Sequence, residues 1–321
     1  VTDLTEQDIS TVRTTGSFAG LLEIEQLDEN TFRGHCHAGA PMRAFGGQVA
    51  AQALTAAGRT CAPDRAVHSL HGYFLLPGDP TRPIRYEVER IREGFSYTTR
   101  RVTALQRGAA IFTLSASFKS AEPSHDRHRE MPLLPAPESL PDSFSHWGAQ
   151  QPAPTAGSGP EVAMDGFRDL DLRFVPADAP GVPPAVPGMP QQFVWLRIAS
   201  PLPSGDPLLH VCALTYLSDL TLASTAGLHQ QPNFLQRTEP PRLMMASLDH
   251  AMWFHRPFRA DEWLLFAQRS PSSSDGRGLA LGEFYDREGR LVASAVQEAL
   301  IRELQQRPRR RRAERGGDDP R

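Results

Sequence analysis

Between Phe18 and Phe118 the chain reads as one compact unit in which apolar and polar positions alternate in short runs. An opening strand is expected near Thr31–Gly34, and further strands at residues 67–75, 84–91, 96–106 and 110–119. Pro77-Gly78-Asp79-Pro80 and Gln106-Arg107-Gly108 supply turns between them. The segment 46–57 differs, because Ala, Gly and Val fill nearly every side of a helical wheel, the pattern of a buried helix. One helix followed by antiparallel strands predicts an α+β layout.

Proline crowds residues 132–160 and again 176–190, so 121–190 reads as a long connector, part of it mobile, with one candidate edge strand at residues 170–175. The earlier pattern then resumes: a strand at residues 193–198, a helix within 208–226, and strands at 244–255, 262–269, 277–285 and 290–302. The order repeats that of the first unit, and traces of residue identity accompany it. Val67-His68-Ser69-Leu70-His71 aligns with Ala246-Ser247-Leu248-Asp249-His250, and residues 108–117 align with 288–297, which sets Gln297 opposite Ser117. Packing would tolerate the same residues in both copies, so polar groups confined to the second mark it for chemistry. The expected organisation is a polar leader over 1–16, a first unit over 17–120, the connector over 121–190, a second unit over 191–304 and a disordered basic tail over 305–321.

Composition narrows the class. The 321 residues, 40% hydrophobic and 22% charged, suit a soluble globular protein, and no apolar run approaches the roughly 20 residues of a membrane helix. The acidic start Val1-Thr2-Asp3-Leu4-Thr5-Glu6 is unlike a secretory signal, so a cytoplasmic location is expected, with no membrane partner. Three unclustered cysteines, Cys36, Cys61 and Cys212, indicate neither disulfides nor zinc. The formal net charge is −3, yet residues 305–321 carry seven Arg against three acids, which leaves the body at −7 and argues against nucleic acid as a partner.

Familiar catalytic motifs are missing: no Gly-x-Ser-x-Gly elbow, phosphate loop, dinucleotide fingerprint or His-Glu-x-x-His helix is present. His68/His71 and His250/His255 are spaced to face opposite ways on strands, and the neighbours Asp249 and His250 likewise face apart, which disfavours both metal pairs and a dyad. Asp219, in Tyr216-Leu217-Ser218-Asp219-Leu220, falls at the start of the second helix candidate, at the place Gln48 holds in the first unit. There it is equally well a helix cap or first-turn acid. Ser247 and Gln297 fall on the first and last strands of the second unit, where either could be a hydrogen-bonded filler.

Several long segments resemble the acyl-CoA thioesterase II family: Phe45-Gly46-Gly47-Gln48-Val49, the stretches 67–79 and 247–258, Arg277-Gly278 with Gly282-Glu283-Phe284-Tyr285, and residues 291–298. The similarity runs from about Phe18 to Arg302. It implies a tandem (double) hotdog, two antiparallel sheets each wrapped around a long helix and joined edge to edge, and hydrolysis of fatty acyl-CoA to free acid and CoA without cofactor or metal. The family's Asp, Thr or Ser, and Gln fall on Asp219, Ser247 and Gln297, with Asp219 as the base that activates a water. It further implies a homodimer or homotetramer. Two other readings stay open: a hotdog enoyl-CoA hydratase, and a non-catalytic acyl-CoA-binding scaffold.

Overall fold

The computed structural model describes residues 17–36, 43–143, 169–233, 235–236 and 238–304. The expected leader, the basic tail and the middle of the connector lie outside them. The helices are α1 (Phe18–Leu22), α2 (Gly46–Arg59), α3 (Pro207–Ser218) and α4 (Leu222–Thr225). The first-half strands are β1 (Glu25–Gln26), β2 (Thr31–Gly34), β3 (Ala66–Phe74), β4 (Ile84–Glu93), β5 (Tyr97–Gln106) and β6 (Ala109–Lys119). Then come β7 (Leu170–Phe174), β8 (Gln191–Ile198), β9 (Leu243–Ser247), β10 (Asp249–Phe254), β11 (Leu264–Ser274), β12 (Arg277–Tyr285) and β13 (Leu291–Glu303).

The strands form one continuous sheet, in the order β1-β2-β4-β5-β6-β3-β10-β13-β12-β11-β8-β7, with β9 also paired to β13. The joint is β3 on β10, antiparallel from Ser69 opposite Trp253 to Tyr73 opposite Asp249. Each strand would otherwise present an unpaired edge, and pairing the two removes both. The expected strand at 170–175 appears as β7 and does lie at a sheet edge.

Alternation explains which face is buried. In β5 the inward positions are Thr98, Arg100, Val102, Ala104 and Gln106, all buried, with intermediate or exposed residues between them. Helices α2 and α3 lie against this inner face and run antiparallel to each other. A side chain on Gly58 would strike Leu208 at 2.4 Å, and one on Gly47 would come within 2.6 Å of the Tyr216 carbonyl. The small residues of α2 are thus what lets the helices touch. Asp206 starts α3 by accepting from Leu209 N (3.0 Å), with Pro207 as its first residue.

Part of the proline-rich connector packs against the sheet. Met131, Leu134, Ala179 and Val182 cover a second apolar cluster on the outer face, built on Phe193, Trp195, Trp263 and Leu265. Trp195 Nε1 donates to Pro135 O (2.9 Å), and the guanidinium groups of Arg173 and Arg197 stack over the Trp263 ring.

The ladder also corrects the repeat alignment by one residue. Each half has a register break at the same place, His68 between Val67 and Ser69, and Leu248 between Ser247 and Asp249. Superposing the breaks matches Val67 with Ser247 and Ser69 with Asp249. Phe118 stands opposite Val67 and Ala299 opposite Ser247, so Ala116, not Ser117, corresponds to Gln297. The same step matches the positive-φ turn residues Gly108 (75°) and Gly289 (80°).

Candidate active site

Asp219, Ser247 and Gln297 come together although 78 residues separate the first from the last. Asp219 does not start a helix: α3 ends at Ser218 and Asp219 is its C-terminal cap, with φ −82° and ψ −6°. Nor does it occupy the place of Gln48, which is inside the first turn of α2 and donates to the carbonyls of Leu21 (3.0 Å) and His35 (3.1 Å). Because α2 and α3 are antiparallel, the end of α3 meets the beginning of α2, and the position related to Asp219 at the opposite end of the pair is Gly58, against Leu208.

The Asp219 carboxylate accepts three hydrogen bonds. Gln297 Nε2 donates to Oδ1 at 2.6 Å and Ser247 Oγ donates to the same oxygen at 3.1 Å. The third donor is the backbone N–H of Gly47, in the first turn of α2. Gln297 comes from the middle of β13 and is wholly buried, where the first half has only the methyl of Ala116. Its Oε1 is buried and accepts no hydrogen bond among the described residues. Ser247 ends β9, immediately before the register break at Leu248, which turns its hydroxyl toward the helix ends.

Burial pushes the Asp219 carboxyl up to about 6, against the pull of Gln297, Ser247 and Gly47, which stabilise the anion. The partial positive charge at the α2 N-terminus acts in the same sense as these donors. A carboxyl so placed is still mostly ionised at neutral pH yet basic enough to take a proton.

A cavity of about 330 Å³ reaches this carboxylate. Phe74, Ile111 and Phe112 from the first half and Met245 from the second give it an apolar wall, and Arg43 is at its rim. Gly46 is a close approach: a Cβ there would be 2.7 Å from Asp219 Oδ2 and 2.8 Å from the Phe74 ring. Gly46 and Gly47 were legible only as part of a family-like segment, since their contact with Asp219 depends on the packing of two helices.

The other polar candidates are structural. Asp249 turns back to accept from Glu298 N (2.7 Å), filling the gap at the register break. His250 faces the opposite way into the core, with Nε2 2.8 Å from Ser218 Oγ, and its burial lowers its pKa to about 4. The two therefore cannot serve one substrate as a hydratase pair. His68 and His255 lie beside Ser117 (2.8 Å) and Ser294 (2.9 Å), and no group of three metal-ligating side chains occurs among the described residues. Among them, too, no helix is long and apolar enough to cross a membrane.

A large antiparallel sheet with few helices fits a hotdog fold. Residues 36–119 match the model of the acyl-CoA thioesterase N-terminal domain and residues 137–301 that of the C-terminal domain. The chain belongs to the acyl-CoA thioesterase II family. It is similar to acyl-coenzyme A thioesterase 8 of Mus musculus, 39% identical over 88% of each chain. It is also 36% identical to acyl-CoA thioesterase 2 of Haemophilus influenzae, over 88% of this chain and 96% of that one. Among solved structures, an acyl-CoA thioesterase II of Mycobacterium marinum shares 42% identity with a TM-score of 0.74, covering 90% of this chain and 99% of that one.

Proposed function

We propose that this protein hydrolyses fatty acyl-CoA thioesters to free acid and CoA, with Asp219 as general base. The observation that carries this reading is the Asp219 carboxylate, raised to about 6 and held by Gln297, Ser247 and Gly47 at the wall of an apolar cavity.

The chemistry follows from that arrangement. A water oxygen attacks the thioester carbonyl carbon while its proton passes to Asp219, and the electron pair of the C=O bond moves to oxygen. Such assistance is worth on the order of 10² to 10⁴ in rate. Ser247 and Gln297 donate to Asp219 Oδ1 and so fix its direction, while the orphaned Gln297 Oε1 is placed to accept the second hydrogen of the water. The Gly47 N–H is given to Asp219, so the backbone N–H of Gly46 is the donor that the start of α2 offers the developing oxyanion. Collapse of the tetrahedral intermediate breaks the C–S bond, and the CoA sulfur leaves with the proton held by Asp219. No metal or organic cofactor enters the scheme.

The register match between halves supports two tandem hotdog units, joined at β3 and β10. The exposed side chains of Tyr73, Leu75 and Leu76 favour further association into a homodimer or homotetramer, and a light-scattering mass near the 35.4 kDa of one chain would reject that. The activity is tested with decanoyl-CoA and a thiol reagent. CoA release is expected, with at least a hundredfold loss in Asp219→Asn. Tight binding without turnover would return the scaffold reading to the lead.

A further inference from the structure

Asp219 is held on a short link between α3 and α4, and both of its flanks are tied by side chains from other elements. On one side, Ser218 Oγ lies 2.8 Å from Thr215 O and 2.8 Å from His250 Nε2, within hydrogen-bond distance of both. On the other, Thr221 Oγ1 accepts from Gln268 Nε2 (2.7 Å), and the Thr221 carbonyl accepts from Ser224 Oγ (2.7 Å) and Gln192 Nε2 (3.2 Å). Gln268 Oε1 in turn accepts from Thr225 Oγ1 (2.8 Å) and Gln192 Nε2 (3.0 Å).

Gln268 is out of keeping with its lane. It occupies an inward position of β11 between the apolar Leu264 and Phe266 and the end of the strand, and it is 1% exposed. Its ladder neighbour is Gly282, and beyond that Ala295, which leave its amide room to reach the chain just past Asp219. An apolar side chain would fill that position at less desolvation cost. The amide instead bonds the α4 segment through both its nitrogen, to Thr221, and its oxygen, to Thr225.

Resting on the reading of Asp219 as the base, we infer that Gln268 and Thr221 are positioning residues whose hydrogen bond holds the Asp219 link in register with Ser247, Gln297 and Gly47. Neither touches the cavity; they act through two residues of backbone. A misplacement of the base by about 1 Å can cost on the order of 10²-fold in rate, so even a partial slip is readable.

The test uses the full chain and decanoyl-CoA. Thr221→Val and Gln268→Leu are each expected to lower kcat about tenfold with KM within about twofold, while Thr221→Ser, which keeps the hydroxyl, stays within about twofold of the native kcat. Both substitutions remove the Gln268–Thr221 bond, so the double variant should lose less than the product of the two single losses. A kcat within twofold of native in both Thr221→Val and Gln268→Leu overturns the inference. So does a Thr221→Ser loss equal to that of Thr221→Val, or a change in KM alone. If Gln268→Leu does not fold, the Val and Ser pair at Thr221 decides. Asp219→Asn measured alongside separates the two levels: retained turnover there removes the base assignment itself, whereas loss there with unaffected Thr221→Val removes only the positioning role.

Discussion

Replacing Asp219 by Asn should destroy the activity and stabilise the protein, and the gain should depend on pH. The carboxyl is raised from 3.8 to about 6 by burial, so folding favours its protonated form. The stabilisation from protonation is complete below about pH 4 and is lost as pH rises through about 6. Integrated over that interval, the ionised aspartate costs the native state about 1 kcal/mol at about pH 4.5 and about 3 kcal/mol at about pH 7.5. Asn escapes this cost but has one acceptor in place of two, and losing one of the three hydrogen bonds gives back about 1 kcal/mol. The expected net is therefore no difference near pH 4.5 and a gain of about 2 kcal/mol near pH 7.5, or roughly 3 °C in Tm for a chain of this length. Urea unfolding of the two proteins at both pH values measures it directly. A variant less stable than the native protein near pH 7.5, or a difference equal at both pH values, would refute the account of Asp219 as a strained anion.

Three other outcomes follow from the same geometry. The pH profile of kcat/KM should fall tenfold per unit below about 6, because only the ionised carboxylate accepts a proton; an acid limb below about 5 would contradict it. Gly46→Ala should lower kcat at least a hundredfold with little change in secondary structure by circular dichroism, since its Cβ would sit 2.7 Å from Asp219 Oδ2. Arg100, wholly buried, donates to the Thr60 side chain and carbonyl at the end of α2 (both 2.8 Å) and to Arg92 O (3.3 Å), besides pairing with Glu93. Arg100→Ala should thus cost about 3 kcal/mol in urea unfolding while the folded fraction keeps its native kcat.

Strands were legible where one face is buried, as in β5, since alternation there is forced by the pleat. The helix α3 was legible as a helix but not in its ends, because it is apolar nearly all round and offers no polar stripe to phase it. That is why Asp219 was read as an opening residue when Asp206 is the true cap and Asp219 closes the helix. The one-residue slip that set Gln297 against Ser117 has a similar source: the register breaks at His68 and Leu248 leave no turn residue in the sequence. Asp219, Ser247 and Gln297 were named through resemblance, not pattern, because three residues far apart in the chain carry no local signal of contact. Their bond to Gly47 was invisible for the same reason, as was the use of Gln268.

The site takes its helix N-terminus from the first half of the chain and its three side chains from the second. Were the halves separate polypeptides, turnover at low protein concentration would be limited by how often they met. A covalent link replaces that meeting with an effective local concentration in the millimolar range. Specific activity should therefore stay constant on dilution to levels at which any larger assembly has come apart.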